Sequence, residues 1–146
     1  MSKIEEYKVQ LINLKQWDDF LLRNSNLPSP RSNLELLAAA VEVGTKDKFL
    51  KFLEWNAEIA PINQPGEFLC TIGVAGLGKL ISERDEEDKW LLKLKAYSAD
   101  PRWRVREGVA MALQFIGKRD MNFLLDLAQT WTYSDMFVQR ALVAFM

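Results

Sequence analysis

An all-α chain, wound as a right-handed α-α superhelix of stacked helix pairs, is what three features of this sequence predict. Apolar residues recur at three- and four-residue steps through nearly every segment. No stretch keeps the two-residue alternation of a strand. Short matching segments return at spacings of 34 and 35 residues, a period that belongs to stacked helical pairs. About eight helices in roughly four antiparallel pairs are expected, within a single domain spanning residues 1–146.

The elements follow in order. Ile4, Tyr7, Leu11, Leu14, Trp17, Leu21 and Leu22 share one face of a first helix reaching Arg23, and Asn24 to Pro30 breaks it. Ser32-Asn33-Leu34-Glu35 has the spacing of a capping box, with Ser32 and Glu35 satisfying reciprocal amides, and opens a second helix to Val43. Gly44 suits the position just past that helix. Thr45 caps a short third helix carrying Phe49, Phe52 and Leu53. A Pro- and Gly-containing loop leads to a fourth helix over residues 67–82. An acidic turn at residues 83–88 favours the start of a fifth, which carries Trp90, Leu91, Leu94 and Tyr97. Asp100-Pro101 reads as N-cap and first helical residue of a sixth helix, which Gly117 ends. Met121, Leu124, Leu125 and Leu127 mark a seventh, and Ser134 or Asp135 opens an eighth. The chain stops at Met146 inside an apolar run with no stop signal. This predicts a tightly docked last helix, a longer parent chain, or a partner over that end.

Composition narrows the chemistry. The chain is 49% hydrophobic and 27% charged, and 19 Lys and Arg against 20 Asp and Glu leave a formal charge of −1. That balance is globular, and it excludes a strongly basic nucleic-acid protein as a description of the whole. Histidine is absent, which removes imidazole catalysis, His-based metal sites and His pH switches. The one cysteine, Cys70, lies in an apolar run and reads as a small buried hydrophobe. Gly73 to Lys79 has neither the glycine spacing nor the Lys-Ser/Thr of a phosphate loop, so close helix packing is expected there. Asp18-Asp19 and the acidic turn at 85–88 read as solvated surface. The tryptophans and Met111, Met121, Met136 and Met146 read as packing residues, with Trp103 partly exposed. No cofactor or metal is expected. The longest apolar stretch, 68–78, is too short to cross a bilayer, so a cytoplasmic, soluble protein without membrane contact is expected.

The repeat carries a resemblance. Arg106-Glu107-Gly108-Val109-Ala110 matches Arg140-Ala141-Leu142-Val143-Ala144, and Gly108-Val109-Ala110 matches Gly73-Val74-Ala75. The run from Asp100 to Gly117 (an Asp, then Val-Arg, then Ala and Leu at helical steps, then Gly) resembles the second half of a HEAT repeat. The clearest units are 67–117 and 118–146. The resemblance implies an armadillo-like solenoid, with Asp100 and Arg106 forming an inter-repeat ladder and Ser134 and Arg140 a weaker one. Pro65 and Thr71 occupy those positions in the Gly73 unit and depart from the pattern. Trp103-Arg104-Val105-Arg106 is also similar to a segment of the bacterial alkylpurine DNA glycosylases built from HEAT-like repeats. That likeness implies Arg102, Arg104, Arg106, Lys118 and Arg119 on phosphates, with Trp17, Trp103 and Trp131 as aromatic partners.

The expected function is a non-catalytic protein-interaction module or scaffold, with Arg102, Trp103 and Arg104 as contact residues to a protein partner. Arg102 and Arg104 are expected at the surface, and Arg102 or Arg106 to form a cation–π pair with Trp103. Asp100, Arg106 and Arg140 are expected to be structural. Nucleic-acid binding is the alternative.

Overall fold

A computed structural model of the chain describes residues 1–131. Those residues form eight helices and no strand: α1 (Lys3–Ile12), α2 (Asp18–Arg23), α3 (Leu34–Val43), α4 (Lys46–Phe52), α5 (Pro65–Ser82), α6 (Glu87–Tyr97), α7 (Trp103–Arg119) and α8 (Met121–Trp131). The all-α class is as expected. The eighth helix predicted from residue 134, with Ser134, Met136, Arg140 and Met146, lies outside the described residues. The count of eight is reached instead because the first predicted helix is two.

Local chemistry explains the boundaries. Ser2 caps α1, its hydroxyl accepting from Glu5 N at 3.1 Å. At the other end, Asn13 folds its side-chain amide back onto Val9 O at 2.9 Å and stops the helix. Trp17 is buried against α1, its indole N–H donating to Leu11 O at 3.0 Å, so the chain turns between α1 and α2 and does not run straight through. The cap of α3 is Asn33 and not Ser32: the Asn33 Oδ1 accepts from Leu36 N. Thr45 caps α4 as expected. Gly44 follows α3 in extended, not left-handed, backbone (φ −74°). Its hydrogen side faces Ala40 O and the Phe49 ring at distances no Cβ tolerates.

The core is one continuous apolar cluster that draws on every helix. Its centre is α5, buried along almost its whole length. The most extensive helix contact is α5 on α7. It closes because glycine sits on both sides. A Cβ on Gly78 would lie 2.5 Å from Ala112 O, and one on Gly108 would lie 3.2 Å from Thr71 O. Position 71 faces 108 and position 78 faces 112, so the two helices run in the same direction. Helices α4 and α6 flank this pair, α1 packs on α3, and α3 reaches α5. Gly117 does not end α7, which continues to Arg119 with Gly117 buried inside it. Met121 is half exposed, and so is not a core filler. Among the described residues no helix is long and apolar enough to cross a membrane.

Candidate functional site

Three consecutive residues at the start of α7 organise one end of the molecule. Helix α7 begins at Trp103, not at Pro101. Asp100 is not its N-cap; its carboxylate instead accepts from Arg102 N at 2.9 Å and from the Arg102 side chain through both oxygens, at 3.0 and 3.1 Å. That pairing leaves Arg102 in extended backbone immediately before the helix.

The expectation that Arg102 and Arg104 are surface groups is overturned: they are 2% and 4% exposed. Arg102 crosses to the loop between α4 and α5. Its Nη1 donates to Trp55 O at 2.8 Å and Ala60 O at 3.0 Å, and its Nη2 reaches Cys70 Sγ at 3.3 Å. These bonds, with those to Asp100, use the whole guanidinium fork. Burial opposes the charge of Arg102, but its hydrogen bonds and charge interactions with Asp100 and Cys70 together outweigh it and raise the pKa above the ordinary arginine value. Cys70 is fully buried, and burial pushes its thiol up to about 11. It is a packing residue, as its apolar setting predicts.

Arg104 reaches a different loop. Its Nη2 donates to Ser29 O at 2.7 Å, across 75 residues of sequence, and its Nη1 pairs with Glu67 Oε1 at 3.1 Å. Glu67 is fully buried in the first turn of α5, and the same oxygen accepts from Asn63 N at 2.9 Å. One carboxylate thus joins α5, α7 and the loop before α5. Glu67 Oε2 and Arg104 Nε have no hydrogen-bond partner among the described residues. Nearby Glu107 has its pKa raised, first by burial and then by the charge of Glu67, against the opposing pull of Arg104.

Trp103 stands between the two buried arginines and is 38% exposed. Its cation–π partner is Arg104, with the guanidinium carbon 4.4 Å from the ring centroid, and not Arg102 or Arg106. Around it lies a shallow hollow of about 610 Å³, walled by Pro28, Pro30, Ile62, Asn63 and the Arg104 stem. The ladder expected between Asp100 and Arg106 takes another form: Arg106 Nη1 donates to the backbone oxygen of Asp100 at 2.7 Å. Trp17, the second aromatic candidate, is a core residue. The side chain of Trp131, and Arg140, lie outside what is described.

Sequence reasoning missed Glu67. A signal was available: it is the single carboxylate at the head of an apolar run that extends through residue 78. Two arginines in a helix's first turn, where the dipole disfavours cations, were the matching signal on the other side. No family model matches the chain, and comparison with curated proteins and with solved structures finds no match.

Proposed function

We propose that this chain is a HEAT-like α-solenoid interaction module, non-catalytic and cytoplasmic, that docks a protein partner on the surface around Trp103. The observation that carries this reading is a rigidly held exposed indole. Here Trp103 is backed by the Arg104 guanidinium, which is itself fastened to Ser29 and Glu67. Pre-organised aromatic anchors lose little conformational entropy on binding and dominate the energetics of interfaces. The neighbours Pro28, Pro30 and Ile62 are exposed and offer apolar area for a partner side chain. The solenoid part of the reading is supported by the parallel contact of α5 and α7, as stacked units require, and by the short loop that joins α6 to α7; a longer segment, residues 53–64, joins α4 to α5.

Burial of Arg102 and Arg104 changes what this surface offers. Their role toward a partner is to hold Trp103 in place. The basic cluster that the nucleic-acid alternative relies on keeps Arg106, Lys118 and Arg119.

Selection of a phage-displayed peptide library on the full chain tests the proposal. Peptides should be enriched that share an apolar anchor and lose most of their affinity for the Trp103→Ala protein. Enrichment that is indifferent to Trp103 would overturn it. Duplex-DNA binding that weakens steeply with salt and falls in Arg106→Ala and Lys118→Ala would replace it with the nucleic-acid reading.

A further inference from the structure

The segment joining α2 to α3 has two sides. One side faces the Trp103 hollow through Pro28 and Pro30. The other borders a separate polar hollow of about 490 Å³, whose walls include Arg23, Asn24, Asn26, Arg31, Ser32 and Glu35. We propose that this second hollow is a binding site for a phosphate-class oxyanion. The ligand is free phosphate or the phosphate end of a phosphomonoester, held between Arg23 and Arg31.

Three observations carry the proposal. The first is charge. Two arginines, Arg23 and Arg31, line one hollow, and among the described residues neither pairs with a carboxylate. Arg23 makes a single side-chain bond, from Nε to Asp19 O at 3.3 Å, which leaves both terminal nitrogens available. The Arg31 side chain is exposed and makes no bond among the described residues. Glu35 is the one acidic group on the lining, so the hollow keeps a net positive charge. Of the other described arginines, Arg84 binds Glu87 and Asp120, Arg102 and Arg104 are buried in ion pairs, Arg106 binds a carbonyl, and Arg119 stands over the Phe115 ring.

The second is rigidity. The backbone that presents Arg31 is pinned from several directions. Asn26 Nδ2 donates to Arg31 O at 2.7 Å, Ser29 Oγ donates to the same oxygen at 2.8 Å, and Arg31 N donates to Ser29 Oγ at 3.1 Å. Asn33 N donates to Ser25 O at 3.0 Å, and Asn33 Nδ2 to Asn24 O at 2.9 Å. Unlike an arginine on flexible surface backbone, Arg31 projects from a fixed frame, so a ligand has to order its side chain but not its backbone.

The third is chemical fit. The lining is polar, which suits a hydrated oxyanion and not an apolar ligand. A tetrahedral oxyanion accepts parallel hydrogen bonds from a guanidinium fork, and two forks exceed what a single carboxylate can use. Ser32 lines the same hollow and carries a hydroxyl, a neutral donor.

The site is distinct from the Trp103 surface, so its failure and that of the docking reading are separable. Titrate the full chain with inorganic phosphate, and separately with O-phosphoserine, at constant ionic strength kept by chloride, following the backbone amides of residues 31–33 by NMR. Saturable shifts are expected at those amides. Arg31→Gln should weaken affinity about tenfold, the scale of one lost hydrogen bond to a charged group. Arg23→Gln should act in the same direction, and Trp103→Ala should leave the titration unchanged. Tighter binding of O-phosphoserine assigns the site to a phosphomonoester; equal binding assigns it to free phosphate. Shifts that do not saturate, or that persist unchanged in both arginine variants, overturn the proposal. The Arg31 side chain is exposed and makes no hydrogen bond or ion pair among the described residues, so its variant tests the site with little disturbance of the fold.

Discussion

The seam between α5 and α7 and the end where two loops meet the start of α7 are closed by opposite means. Along the seam, side chains are removed. Gly78 meets Ala112 and Gly108 meets Thr71, so backbones approach and apolar surfaces mate. At the loop end, the longest side chains in the protein are driven inward, and Arg102 and Arg104 end on carbonyls of Trp55, Ala60 and Ser29. The difference follows from the backbone. A helix satisfies its own amides and carbonyls, so two helices need only shape to pack. Loop carbonyls inside a protein have no such partners, and a guanidinium can serve several of them at once.

Breaking the loop end should have the largest effect. Arg104→Ala leaves Glu67 buried without its counter-charge, and a loss of about 3–5 kcal/mol is expected in urea unfolding. The double variant Glu67→Met/Arg104→Met should be more stable than Arg104→Ala alone, since it removes the stranded charge. If Arg104→Ala costs less than about 1 kcal/mol, the loop end is held by something other than this ion pair.

The seam should respond less. Gly78→Ala places a methyl against the Ala112 backbone, and a cost of about 1–3 kcal/mol is expected from overpacking. Gly108→Ala should cost less, because its neighbours stand further off and two of the three are Val74 side-chain atoms. Equal costs at the two positions would mean that the seam adjusts as a unit.

Alkaline pH tests the loop end by a second route, through two groups beside Arg102 and Asp100. Burial lifts Cys70 from an ordinary value of 9.0 to about 11, and Tyr97 from 10.0 to about 12. The folded chain therefore holds these protons more tightly than the unfolded chain. The stability they contribute is complete below pH 9 and is lost as the pH rises through 11 and 12. Urea midpoints should fall across that window, and the fall should shrink in Cys70→Ala. A flat profile would show that these groups titrate alike in both states.

The smallest effect is expected at the proposed docking residue. Trp103→Ala should cost about 1 kcal/mol of stability, the scale of its cation–π contact with Arg104, while abolishing peptide capture. A large stability loss would place Trp103 with the packing residues.

The helices were readable because their signal is local. Apolar spacing located α3 through α8 to within a few residues, and the small residues of α5 and α7 announced a close crossing. The misplaced boundaries have specific causes. Trp17 looked like the next turn of a continuing helix because its residue type and spacing fit; its bond to Leu11 O turns the chain instead. Asp100 has the right identity for an N-cap, yet Arg102 takes its carboxylate. Ser32 and Asn33 are both good caps, and Asn33 wins because its amide also ties to Asn24 O and Tyr7 Oη.

The candidate site was legible only in part. Trp103 was identified as an exposed aromatic, and it is one. Its flanking arginines were assigned to the surface on residue type alone, since lone arginines rarely enter a core. What brings them inside is Glu67, Ser29, Trp55 and Ala60, all more than 30 residues away.

Sequence alone determined that the described chain is helical, roughly where its helices lie, and that glycine and alanine faces would meet. These are properties of periodicity and residue size, which act within a few turns of backbone. Tertiary structure alone decided which cations are internal and which face solvent. That choice depends on which unpaired carbonyls and carboxylates the fold delivers within hydrogen-bonding reach, and spacing along the chain carries no record of them.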